Sequence, residues 1–263
     1  MFKTRLISGI VLVLVALLTI CSGGIVLFMT VLCLSMIGLL ELYKAMKVRE
    51  DKFNLLEVTG YAGVLIFYLS LLAKDPMYQM MALILALVLI MAVYVFTYPA
   101  YHANQVMAAF FGIIYVGVML SFVYQTRMLE GGKFHVWLIF LCSWGCDTCA
   151  YCVGVLFGKH KMAPVLSPKK SVEGAVGGVV GAVLLGIIYA LATKSGAFEY
   201  GIICGVGALI SMVGDLAASA IKRNQGIKDY GKLIPGHGGV LDRFDSVIFT
   251  APVIYCLSVL LMR

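Results

Sequence analysis

Hydrophobic residues in this chain come in long unbroken runs, with little alternation and few polar interruptions. Runs of about 20 apolar residues cover 6–21, 24–43, 55–73, 77–97, 104–125, 134–157, 173–193, 200–221 and 244–262. Such runs predict membrane-spanning helices, because a helix satisfies its own backbone hydrogen bonds in lipid. Strands of a membrane barrel would alternate polar and apolar residues, and these runs do not. Gly23–Gly24 and Pro76 fall in connections. The expected fold is therefore all-α: a polytopic membrane protein of about nine transmembrane helices. The runs follow one another so closely that 1–263 is read as one integral membrane domain. Within it, residues 1–140 are apolar and helical, and residues 141–263 carry nearly all the candidate chemistry.

Composition agrees. Hydrophobic residues make up 62% and charged residues only 13%, against about 25% charged in soluble domains. The N-terminus has Lys3 and Arg5 before an apolar stretch, as a signal peptide does. No A-x-A-like cleavage site follows, and Ile20 precedes Cys21 where a lipoprotein site wants a small residue. A retained first span is expected.

The net charge is +7, and its distribution says more than its size. Lys74, Arg127, Lys133, Lys194 and Arg263 are the basic residues of one set of alternate loops; all others lie on the side of the N-terminus. The positive-inside rule then puts the N-terminus in the cytosol, with the polar loops 158–172 and 222–243.

Eight cysteines are present. Cys142, Cys146, Cys149 and Cys152 have a spacing reminiscent of cluster ligands, but no second group completes a set, so helix packing is expected. Cys33, Cys204 and Cys256 read as small buried hydrophobes.

The acidic residues are more informative. Glu41 and Glu57 sit at span ends, where water is expected to reach them. Asp147 and Asp215 lie in apolar surroundings, where a carboxylate is costly unless paired or facing a cavity. Asp215, Ser219, Lys222 and Arg223 are spaced i, i+4, i+7 and i+8, on one helix face. Asp242 and Asp245 are at i and i+3 where the last run opens, which also resembles a capping box. If loop 222–243 brings these helix ends together, three carboxylates make a hard-oxygen cluster suited to Mg²⁺.

Two basic segments accompany them. The first, 158–174, contains Ser167, Lys169, Lys170 and Ser171, then Glu173–Gly174 at a helix start whose amides could hold a phosphate. The second contains Lys222, Arg223, Lys228, Lys232 and Arg243 among glycines. No Walker A pattern occurs. His237, between Gly236 and Gly238, is read as a phosphate contact or a loop residue rather than a base.

The run 219–245, SAIKRNQGIKDYGKLIPGHGGVLDRFD, resembles the signature of the phosphatidate cytidylyltransferase (CDP-diacylglycerol synthase) family. The matching positions are Ser219, Lys222, Arg223, Lys228, Asp229, Gly231, Pro235, His237, Gly238, Gly239, Asp242, Arg243 and Asp245. D-T-x-A-Y at 147–151, G-K at 158–159 and S-P-K-K-S-x-E-G at 167–174 are also similar. The resemblance implies Mg²⁺-dependent conversion of CTP and phosphatidate to CDP-diacylglycerol and pyrophosphate, on the cytosolic side of the cytoplasmic membrane. It implies a metal centre of Asp215, Asp242 and Asp245, with Lys222 and Arg223 catalytic. Substrate contacts are expected from Asp147, Ser167, Lys170, Ser171, Ser219, Lys228, His237 and Arg243. It further implies a homodimer; no nucleic-acid partner is expected. Competing readings are a CTP-dependent polyprenol kinase, an ion-coupled transporter using Asp147 and Asp215 as a relay, and a scaffold with no site.

The orientation is testable. In a background free of other reactive thiols, Val165→Cys should react with an impermeant maleimide in inverted vesicles and not in intact cells.

Overall fold

Each apolar run forms a helix. The computed structural model describes residues 2–49, 54–73, 75–236 and 238–262, with side chains from Ser8 onward. The helices are α1 (Phe2–Ser22), α2 (Gly24–Ala45), α3 (Leu55–Leu72), α4 (Pro76–Phe96), α5 (Ala103–Met128), α6 (Gly132–Phe157), α7 (Val172–Thr193), α8 (Ala197–Asn224) and α9 (Leu241–Leu261). Eight of them, α2 to α9, are long and apolar enough to cross a bilayer. The described apolar stretch of α1, Ser8–Ser22, is shorter. The chain is thus a multi-pass, predominantly helical membrane protein.

The expectation of helices alone needs one correction. Lys161–Ala163 (β1) and Ser167–Ser171 (β2) form a two-stranded antiparallel hairpin. Pro164 and Pro168 exclude helix here, and Lys161 pairs with Ser171 at its open end.

The chain divides into two compact units. The first comprises Met1–Thr19, Ile25–Ser121 and Gln225–Arg243; the second comprises Ile20–Gly24, Phe122–Asn224 and Phe244–Arg263. In the first unit α2 packs against α3 and α5. The Tyr43 hydroxyl donates to the Ala109 carbonyl of α5 at 2.7 Å, and the hydroxyls of Ser35 and Tyr68 are 2.7 Å apart between α2 and α3. Asn54 caps α3, accepting from the Glu57 amide at 2.8 Å. Glu57 is buried, not water-exposed as expected; it pairs with Arg49 at 3.4 Å and accepts from the Tyr61 hydroxyl at 3.1 Å. Glu41 is buried as well. On α4, Met77, Met81, Ile84, Val88 and Val95 stay exposed, an apolar surface for lipid.

In the second unit α6, α7 and α8 pack on small residues: Cys146, Ala182 and Ala208 are fully buried together, with Val179 and Met212 against them. Cys142 and Cys204 are buried too, whereas Cys33 and Cys256 are exposed, contrary to expectation. Both lie on apolar helices, where lipid can cover a thiol as well as protein can. Close approach of α6 and α7 requires bare backbone. A Cβ on Gly178 would come 2.9 Å from the Ala150 Cβ and 3.0 Å from the Cys146 Sγ. A π-turn at Leu141–Gly145 widens α6 just before Asp147; such bulges often adjoin functional residues.

These spacings make a prediction. Gly178→Ala should destabilise the protein by about 1–3 kcal/mol, read as a lower thermal midpoint in detergent. Gly205→Ala on α8, whose Cβ would meet only Val183 at an ordinary 3.4 Å, should be neutral or stabilising by about 1 kcal/mol.

Candidate active site

Two side chains pin the α6–β1–β2–α7 connection of the second unit. Ser171 caps α7, its hydroxyl accepting the Gly174 amide at 3.1 Å. That amide is therefore already used and is not free for a phosphate, as the helix start had suggested. Glu173 reaches the opposite way. Its carboxylate accepts the Lys159 amide at 3.1 Å and the His160 amide at 3.2 Å, and meets His160 Nδ1 at 2.6 Å. The exit of α6 is thus tied to the start of α7.

Between them lies a cleft of about 460 Å³. Asp147, Tyr151 and Gly154, spaced i, i+4 and i+7 on α6, line one side. Ser167, Lys169, Lys170 and Ser171 of β2 line another, and Met212 and Asp215 of α8 a third. Lys170 forms an ion pair with Asp215, both half-buried. Met162, Val155, Ala175 and Met212 give the same cleft apolar walls. A ligand with an anionic head and an apolar body suits that mixture.

The acidic-to-basic stripe of α8 is present. Ser219 and Lys222 are buried at 9% and 8% exposure, while Arg223 is exposed. Lys222 Nζ lies 3.9 Å from Asp245 on α9. Asp245 is buried and within electrostatic reach of Asp215 and Asp147. So Asp147, Asp215, Asp245, Lys170 and Lys222 form one charged group inside the second unit.

In the first unit, the loop before α9 forms its own polar hollow of about 610 Å³, lined by Lys228, Asp229, Lys232 and Arg243. Asp242 does not cap α9 in the expected way. Its Oδ2 accepts the Gly239 amide at 2.9 Å and the Tyr230 amide at 2.8 Å, knitting the loop together. Gly238 has φ +88°, and a Cβ there would come 2.8 Å from that same oxygen; only glycine takes this conformation without strain. His237 lies outside the described residues.

Among the described residues no three acidic, histidine or cysteine side chains are grouped closely enough to hold a metal ion. The donors are nevertheless hard ones. Asp215 and Asp245 offer only oxygen, and each faces a lysine ammonium that supplies positive charge there. That chemistry fits Mg²⁺, which takes carboxylate and water oxygens, better than a metal that seeks thiolate or imidazole.

Comparison with known proteins gives this geometry its context. The profile described as the cytidylyltransferase family matches residues 3–261. The chain belongs to the cytidylyltransferase family. A protein of Staphylococcus epidermidis named phosphatidate cytidylyltransferase is 31% identical over 264 residues, covering 98% of this chain and 99% of that one. Proteins of the same name from Staphylococcus saprophyticus and Staphylococcus aureus strain COL are each 32% identical, with the same coverage. The match runs through the apolar N-terminal half as well, beyond the 140–263 region where the resemblance was legible.

Sequence reasoning missed two supports, Glu41 and the Glu173–His160 clamp. A glutamate at the end of an apolar run reads as solvated, and only its burial signals otherwise. The sequence signal for Glu173 was its place two residues after the Ser171 cap.

The Lys170–Asp215 pair yields a prediction. Lys170→Ala and Asp215→Asn should each lower kcat/KM, the second by at least about 100-fold, the scale of a lost charge contact at a transition state.

Proposed function

We propose that this chain is a phosphatidate cytidylyltransferase of the cytoplasmic membrane, transferring the cytidylyl group of CTP to phosphatidate. The observation that carries the reading is the cleft of the second unit, where lysine and hydroxyl groups of a kind that can bind phosphate meet apolar walls. Phosphatidate combines a phosphomonoester with acyl chains, and this lining matches both parts. The shared name of relatives across nearly the whole chain supports the same substrate.

The reaction is a displacement at phosphorus. An oxygen of the phosphatidate phosphate bonds to the α-phosphorus of CTP, and the bond from that phosphorus to the bridging oxygen of the β-phosphate breaks. Pyrophosphate leaves with the electron pair. The nucleophile is already an anion at neutral pH, so no general base is required. The obstacle is repulsion between two polyanions, and such reactions depend on positioning and charge neutralisation. Lys170, with Ser167 and Ser171, binds the lipid phosphate. Lys222 and Arg223 hold phosphoryl oxygens at the end of α8, assisted by the Ser219 hydroxyl, and Arg suits bidentate contact. Lys228 and Arg243 hold phosphates of the nucleotide, with His237 as a further contact. Asp147 orients Lys170 across the cleft.

Asp215 and Asp245, both of the second unit, would hold Mg²⁺. When bound, that ion neutralises phosphoryl charge and steadies the departing pyrophosphate. We also infer nine spans with a cytosolic N-terminus, the basic loops facing the cytosol where CTP is found, and a homodimer as the family resemblance implies.

Product analysis tests the reaction. Purified protein given α-labelled CTP and phosphatidate should form a labelled liponucleotide and release pyrophosphate. CDP release with no label in lipid would instead establish a kinase, and transport of an ion without either product would overturn the enzyme reading.

A further inference from the structure

The buried carboxylate of Glu41 has no part in the chemistry described so far. It sits near the end of α2 at 4% exposure. Its Oε1 accepts the Val240 amide at 3.0 Å, and its Oε2 accepts the Leu241 amide at 2.9 Å. These are among the first amides of α9, which intrahelical bonding leaves without acceptors. Side chains that serve this purpose usually come from the helix's own N-cap. Here the acceptor comes from a helix about 200 residues earlier in the chain.

The surroundings are shaped for this contact. A Cβ on Gly239 would come 2.5 Å from both Glu41 oxygens, and one on Gly231 would also strike the carboxylate. Gly38, one turn earlier on α2, makes room for the Leu241 side chain, which is 1% exposed. Loop glycines thus clear a socket for the carboxylate, and α2 clears a socket for Leu241. Next in sequence is Asp242, whose Oδ2 takes the amides of Gly239 and Tyr230. Two carboxylates therefore hold the three consecutive amides 239, 240 and 241, one from each side.

From this geometry we propose that Glu41 is a positioning residue for the transfer reaction: it clamps the start of α9 and so sets the direction of Asp242 and Arg243. The inference rests on the reaction proposed above for its catalytic readout, but not for the clamp itself. It gives the apolar N-terminal half a stated task. Misplacement of a reacting group by about 1 Å is enough to cost on the order of 100-fold in rate.

The test uses full-length protein in detergent with three variants. Glu41→Gln keeps the shape but turns an amide NH₂ toward a backbone N–H. Gly239→Ala invades the same contact from the loop, leaving α2 untouched. Ser35→Ala removes a different buried hydrogen bond of α2, the one to Tyr68, and controls for general loosening. Trypsin cleavage at Lys228 and Lys232 reports the loop without reference to activity. We expect Glu41→Gln and Gly239→Ala to speed this cleavage and to lower kcat, each by at least about tenfold, with KM for CTP rising and KM for phosphatidate moving less than about threefold. Ser35→Ala should alter neither readout beyond about twofold. Cleavage and kcat within about twofold of wild type for both loop-contact variants would overturn the clamp. So would a Ser35→Ala phenotype equal to that of Glu41→Gln. If wild type makes no liponucleotide, the reaction reading fails, and the cleavage rates alone decide whether Glu41 holds the loop.

Discussion

Backbone amides freed at a buried turn must find acceptors, and at the start of α9 they find carboxylates. Gly239 donates to Asp242, while Val240 and Leu241 donate to Glu41. An unmet buried amide costs roughly 1–3 kcal/mol, so three together would be enough to disfavour this loop conformation. The acidic side chains of the loop and of α2 are therefore structural before they are chemical. The order in which the glycines fall, bare at 231 and 239 beneath Glu41 and left-handed at 238 beside Asp242, follows from the same need.

The second unit solves a related problem with ion pairs. Asp215 and Asp245 are acidic groups on apolar helices, and each has a lysine facing it, Lys170 and Lys222. A charge buried without a partner is costly, and pairing offsets much of that cost. The pairs also store both signs of charge close to one cleft. In the proposed reaction a phosphate draws on the lysines and a divalent cation on the aspartates. A chain with so little charge would in this way handle two polyanionic substrates, because most of its charged residues are concentrated at helix ends and in loops.

Much of the candidate site was legible because membrane placement makes polar residues conspicuous. Asp147 and Asp215 stood out against apolar neighbours, and the α8 spacing correctly put Ser219 and Lys222 on the buried side with Asp215 half-covered beside them. Arg223, at i+8, turned outward because a face narrows at its edge, and the helix was ending. The hairpin was hidden because Lys161–Ala163 is too short to show alternation. Asp242 looked like a cap because D-x-x-D precedes an apolar run; its true partners, Tyr230 and Gly239, lie in a loop whose path has no period to read. Glu41 and Glu57 looked solvated for the same reason that Cys33 and Cys256 looked buried: a run's edge in sequence does not say which neighbour covers it.

The sequence by itself determined the membrane class, the apolar runs that become helices, the approximate ends of those helices and the residue types from which any chemistry must be built. These depend on hydropathy and on period, which are local. Only the tertiary structure decided that a carboxylate of α2 would serve the amides of α9, that Lys170 would meet Asp215, and that α6 and α7 would approach closely enough to need Gly178. Such choices depend on which surfaces face one another across long separations in the chain, and no local pattern of polar and apolar residues encodes them.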